Sequence, residues 1–145
     1  IRDPNEEEST YINSEFYQKR RGDICEAADI GMKFAKTYEV LRFHDLEKHC
    51  PGFILACKDD IKKALDYAKD KDELIVACAA GISRSSAVAY VIARSEVSSE
   101  EAVSILNIDR HWPNRHVLAC GNSVLNFSAG TLVREIDSRG FDRIP

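Results

Sequence analysis

The chain has 145 residues, 44% hydrophobic and 30% charged, which suits one globular domain spanning 1–145 with a single substantial core. Its formal net charge of −4 supplies no global positive field, so neither nucleic acid nor an anionic membrane surface is an expected partner. No apolar run of about 18 residues is present to span a bilayer, and no secretory leader is visible, although the sequence opens on Ile1 rather than Met.

In chain order, Ile1 to about Tyr11 is polar and acidic and reads as a strand end followed by a loop. Gln18-Lys19-Arg20-Arg21 is a basic run of the kind usually found on solvated surface. From Ile24 to Tyr38, Ile24, Ala27, Ala28, Met32, Phe34 and Ala35 supply an apolar stripe at helical spacing. Glu39 to Phe43 reads as a short strand, and the stretch from His44 to Pro51-Gly52 as a loop. Lys58 to Lys69 predicts an amphipathic helix, with Asp59 and Asp60 in its first turn and Ile61, Ala64, Leu65 and Ala68 inward. Glu73 to Cys78, with the run Leu74-Ile75-Val76-Ala77, reads as a central strand buried on both faces. A buried helix is expected from Ser85 to about Arg94. Ser98 and Glu101 are spaced as a capping box opening the next helix. Further helices are expected from about Asn114 to Asn126 and from Ser128 to Ser138. Strands alternating with helices predict an α/β domain, a mostly parallel sheet flanked by helices, with ligands bound beyond the carboxyl ends of the strands.

The cysteines, Cys25, Cys50, Cys57, Cys78 and Cys120, are odd in number and scattered. They form no Cys-x-x-Cys pair, and His44, His49, Cys50 and Cys57 fit no standard metal spacing, so neither a disulfide framework nor a metal is expected. Free thiols point to a reducing, cytoplasmic setting.

Cys78 differs from the others. It closes the predicted central strand and opens the loop Cys78-Ala79-Ala80-Gly81-Ile82-Ser83-Arg84-Ser85, which runs into a helix. Backbone amides of Ala79 through Ser83, together with the helix N-terminus, can converge on an anion. Gly81 gives the turn its backbone freedom. Arg84 offers a permanently charged fork for two phosphate oxygens. In such a basket Cys78 is held as thiolate and becomes a nucleophile, and Ser85 can donate to the sulfur. Ser83 and Ser86 read first as helix caps.

Cys, five residues, Arg, Ser, with the internal Gly and the Ser-Arg-Ser ending, resembles the signature loop of the cysteine-dependent protein tyrosine phosphatases, in particular the small dual-specificity branch. The element order from about Glu39 to Ile108 is similar, and Trp112-Pro113-Asn114-Arg115 resembles a feature of small bacterial and phage phosphatase-like proteins. The resemblance implies attack on phosphorus by Cys78, a cysteinyl-phosphate intermediate, stabilisation by Arg84 and the loop amides, no cofactor, and a phosphorylated protein or other phosphomonoester as substrate. It also implies a carboxylic acid on a separate loop. Asp45 fits, following the Val40–Phe43 segment and preceding Cys78 by 78 − 45 = 33 positions. His44, Glu47, Asp59 and Asp60 are its rivals, and the last two are the better helix caps.

One departure bears on activity, and the loop composition bears on substrate. The residue before the nucleophile is commonly His in that family and is Ala77 here, which favours slower turnover or, in the alternative, a catalytically inactive phosphate-reading module. The loop carries none of the lysines typical of the superfamily's lipid phosphatases, so phosphotyrosine, phosphoserine or phosphothreonine fits better than inositides. Arg110, His111, Arg115 and His116 offer a cationic patch for an acidic substrate if they border the cleft. A rhodanese-type sulfur transferase also uses a loop cysteine, but commonly with one residue fewer before the Arg. A monomer is the expected state.

Overall fold

A computed structural model of the chain describes residues 1, 2, 4 and 37–142. Most of the acidic opening segment, the Gln18–Arg21 basic run and nearly all of the helix expected from Ile24 lie outside the described residues. Within them are five helices: α1 (Lys58–Ala68), α2 (Arg84–Arg94), α3 (Ser99–Val103), α4 (Arg115–Val124) and α5 (Thr131–Asp137). Helix α2 packs against α1, α3 and α4, and α4 also packs against α1 and α5.

The helices follow from local sequence. In α1 the Asp60 carboxylate accepts from the Cys57 N–H at 2.8 Å, satisfying a backbone donor at the helix start, while Ile61, Ala64 and Ala68 are buried at helical spacing. Ser98 and Glu101 form the reciprocal cap of α3. Asn114 caps α4 through the Val117 N–H at 3.0 Å. The core gathers Phe43, Ile61, Tyr90, Val91, Val117, Leu118, Leu132 and Ile136, each almost wholly buried.

The expected α/β architecture does not hold for this region. Among the described residues there is no strand and no sheet, only an isolated parallel bridge between Arg2 and Arg42. Leu41 and Phe43 are buried, but the segment's pairing ends with Arg2 N–H to Leu41 O at 2.9 Å and Phe43 N–H to Arg2 O at 3.1 Å. The run Leu74–Ala77 is not a central strand buried on both faces. Ile75 is 77% exposed, Leu74 is also exposed, and the Ala77 carbonyl accepts from the Ile1 nitrogen without a continuing ladder. An apolar run predicts burial, but a strand needs a neighbour's hydrogen bonds along its length.

No helix among the described residues is long and apolar enough to cross a membrane.

Candidate functional site

The loop from Cys78 to Ser83 leads into the first turn of α2, which begins at Arg84. Gly81 adopts φ +66°, in the left-handed region where a side chain is strained. Cys78 is 9% exposed, and its Sγ lies 3.2 Å from Ser85 Oγ. The thiol donates to that hydroxyl; the thiolate accepts from it. Burial opposes ionisation of the sulfur most strongly. Hydrogen bonds from the Ser85 hydroxyl and from the backbone N–H groups of Ser85, Gly81 and Ala80 outweigh it together, so the Cys78 pKa falls below the ordinary thiol value. The geometry places the Ser85 hydroxyl on the sulfur, and the balance of these effects favours the thiolate.

Arg84 is buried, and its Nη1 donates to the Phe43 carbonyl at 2.8 Å. This bond ties the head of α2 to the chain immediately before His44 and Asp45. Ser86 Oγ turns back to the carbonyls of Ile82 and Ser83 instead of capping a free N–H. The expected capping role of Ser83 also fails. It occupies the position before α2, yet its side chain makes no capping bond. Its hydroxyl donates to Asp45 Oδ1 at 2.7 Å.

That contact brings Asp45 onto the cysteine loop from 38 residues away in sequence. Asn114 Nδ2 donates to the same Oδ1 at 2.9 Å and to the Leu46 carbonyl at 3.3 Å. Glu47 Oε1 accepts from the Arg115 N–H at 2.9 Å. Of the rival acids, Asp60 is engaged in the α1 cap, Asp59 lies near Lys62, and Glu47 holds the start of α4. His44 Nδ1 accepts from the Ile54 N–H at 2.9 Å.

The 110–114 segment wraps the other side of the loop. Trp112 N–H donates to Ile82 O at 2.9 Å, and Asn114 N–H to Ser83 O at 3.2 Å. A Cβ placed on Gly81 would stand 3.9 Å from Arg110 Nη2, so that guanidinium flanks the loop. The His111 pKa is lowered, by burial first and then by the Arg110 charge. Beside the loop is a cavity of about 400 Å³, lined by Val76, Gly81, Ser85, Ile92, Leu106 and His111 among others. The cationic patch expected from four residues is divided. Arg110 and His111 border the loop, whereas Arg115 pairs with Asp137 at 2.6 Å and His116 Nε2 sits 2.9 Å from the Ala56 carbonyl.

Asn114 and Ser83 are the residues whose roles went unread in the sequence. The Pro-Asn pair before an apolar stretch signals a helix cap, but nothing local signals a link to Asp45. Cys50 and Cys57 are exposed and Cys120 is buried; among the described residues no three His, Cys, Asp or Glu side chains are placed to hold a metal ion. No protein-family model, curated protein or solved structure matches the chain.

Proposed function

We propose that this chain is a cysteine-dependent phosphatase acting on phosphate monoesters, with phosphorylated protein side chains as the substrate class. The observation that carries this reading is the buried Cys78 sulfur 3.2 Å from the Ser85 hydroxyl at the head of α2, in a loop whose Ser83 hydroxyl holds a carboxylate, Asp45. The reading rests on the site and the signature-loop resemblance, since one scaffold hosts many chemistries and one chemistry many scaffolds.

In the proposed reaction the Cys78 thiolate attacks phosphorus. An S–P bond forms, the P–O bond to the leaving group breaks, and the leaving oxygen takes a proton from Asp45. Loop N–H groups and Arg84 stabilise the charge on the non-bridging oxygens. Water then attacks phosphorus as Asp45 takes its proton, the S–P bond breaks, and thiolate and inorganic phosphate are released. Ser85 stabilises the departing sulfur.

The test is hydrolysis of an aryl phosphate such as p-nitrophenyl phosphate by wild type and Cys78→Ser. Metal-independent turnover that vanishes in the variant is expected. Chelator-sensitive activity, or activity that survives the substitution, would overturn the mechanism.

Ala77 favours a second reading, a module that binds phosphorylated partners without turning them over, because its methyl group offers no buttressing hydrogen bond to the cysteine loop. Saturable binding of a phosphopeptide with no phosphate release over hours selects that reading.

A further inference from the structure

Asn114 joins three parts of the molecule through one buried side chain, 2% exposed. Its backbone N–H donates to Ser83 O at 3.2 Å, within the cysteine loop. Its carboxamide oxygen accepts from Val117 N–H at 3.0 Å and caps α4. Its two amide hydrogens go to Asp45 Oδ1 at 2.9 Å and Leu46 O at 3.3 Å. A primary amide has two donors and an acceptor, so this one is fully engaged. The Ser83 hydroxyl, which makes no capping bond, aims at the same Asp45 Oδ1 at 2.7 Å.

Two donors occupy the two lone pairs of Oδ1. A transferable proton on this carboxyl therefore resides on Oδ2, and the orientation of Oδ2 is set by whatever holds Oδ1. Because Asn114 and Ser83 also bond to each other through the backbone, the acid and the nucleophile loop share one frame. We propose that Asn114 and Ser83 are positioning residues for Asp45, fixing Oδ1 so that Oδ2 delivers the proton to the leaving oxygen and recovers it from water. This inference rests on the phosphatase reading and deepens it. Misplacing an acid by about 1 Å is enough to cost on the order of a hundredfold in rate, which is why two separate donors on one oxygen matter.

The capping role of Asn114 can be separated from its hold on Asp45. Serine also caps helices, so Asn114→Ser keeps a cap acceptor but is too short to reach Asp45. Ser83→Ala removes the second donor, and Ser83→Thr restores a hydroxyl. The experiment measures kcat/KM of the full chain for aryl phosphates of rising leaving-group basicity, with inorganic phosphate as competitive inhibitor. Expected is a loss of about tenfold or more for the poorest leaving group in Asn114→Ser and Ser83→Ala. The loss shrinks for the best leaving group, phosphate inhibition stays within about twofold of wild type, and Ser83→Thr recovers most of the rate. Neither substitution adds to the loss caused by Asp45→Ala. Equal losses across all leaving groups, a parallel fall in phosphate affinity, or full additivity with Asp45→Ala would overturn the positioning role while leaving the phosphatase reading intact. A wild type that binds phosphate yet hydrolyses none of the esters sinks that reading and this inference together. Should Asn114→Ser fail to fold, Ser83→Ala and Ser83→Thr decide.

Discussion

Helix α2 buries polar groups at both ends, and the two ends differ in what those groups have left to do. Near its C-terminus, Tyr90 Oη and Arg94 Nε donate to Glu135 Oε2 at 2.8 and 2.9 Å, and Arg94 Nη2 donates to Oε1 at 3.1 Å. Burial opposes the Glu135 charge, but Arg94 and then Tyr90 more than offset it, and the carboxyl stays below its usual range. Burial, followed by Glu135, pushes the Tyr90 phenol far above its ordinary value. This cluster is closed: charge meets charge and the phenol keeps its proton. At the N-terminus the balance is open. Cys78 keeps the Ser85 hydroxyl on its sulfur, and its pKa is lowered. A closed cluster ties α5 to α2, whereas an open one suits the nucleophile proposed for this site.

The sharpest way to break this comparison is at the sulfur. Cys78→Ser should abolish ester hydrolysis and leave the urea midpoint of unfolding near that of wild type, since the substituted atom is small and a hydroxyl can pair with Ser85. Large destabilisation without loss of turnover would make Cys78 a packing residue like Cys120. Asp45→Ala ranks next, with an expected loss of about a hundredfold for poor leaving groups and far less for good ones. A uniform loss removes Asp45 from proton transfer.

At the other end the effect should fall on stability alone. Glu135→Ala leaves Tyr90 and Arg94 without their acceptor and is expected to cost about 1–3 kcal/mol in urea unfolding. The lower part of that range is favoured because the Arg94 and Glu135 side chains keep 15% and 20% exposure. The folded carboxyl lies below its usual range, so its stabilisation is complete above the unfolded value and is lost as pH falls through the folded one. Wild type and Glu135→Ala should therefore converge in acid, and a gap that widens there contradicts the assignment. The smallest effect concerns Ser85. Iodoacetamide labelling followed at the Cys78 peptide should show a pH midpoint below the ordinary 9.0 in wild type and a higher one in Ser85→Ala. Removing a donor to the thiolate raises the thiol pKa, so a downward move would refute the contact's role.

What the sequence made legible was local. Ile61, Ala64 and Ala68 recur at helical spacing, Ser98 and Glu101 face each other across one turn, and the signature resemblance lies within the eight consecutive residues from Cys78 to Ser85. Asp45 was accessible because its loop follows a short apolar segment, and the structure brings it onto Ser83. The sheet was misread because Leu74–Ala77 reports hydrophobicity, not pairing, and Ile75 stands in solvent. Ser83 reads as a cap and Asn114 as no more than a helix start, because their partner is far along the chain, 38 and 69 positions from them. A side chain's tertiary partner leaves no periodic signal around it.

The most direct measurement is intact mass after rapid acid quench of the protein mixed with an aryl phosphate, with peptide mapping of any adduct. The expected result is one added phosphoryl group on Cys78, enriched in Asp45→Ala when a good leaving group is used and absent from Cys78→Ser. Turnover with no adduct on Cys78, or an adduct on another residue, would contradict the cysteinyl-phosphate account.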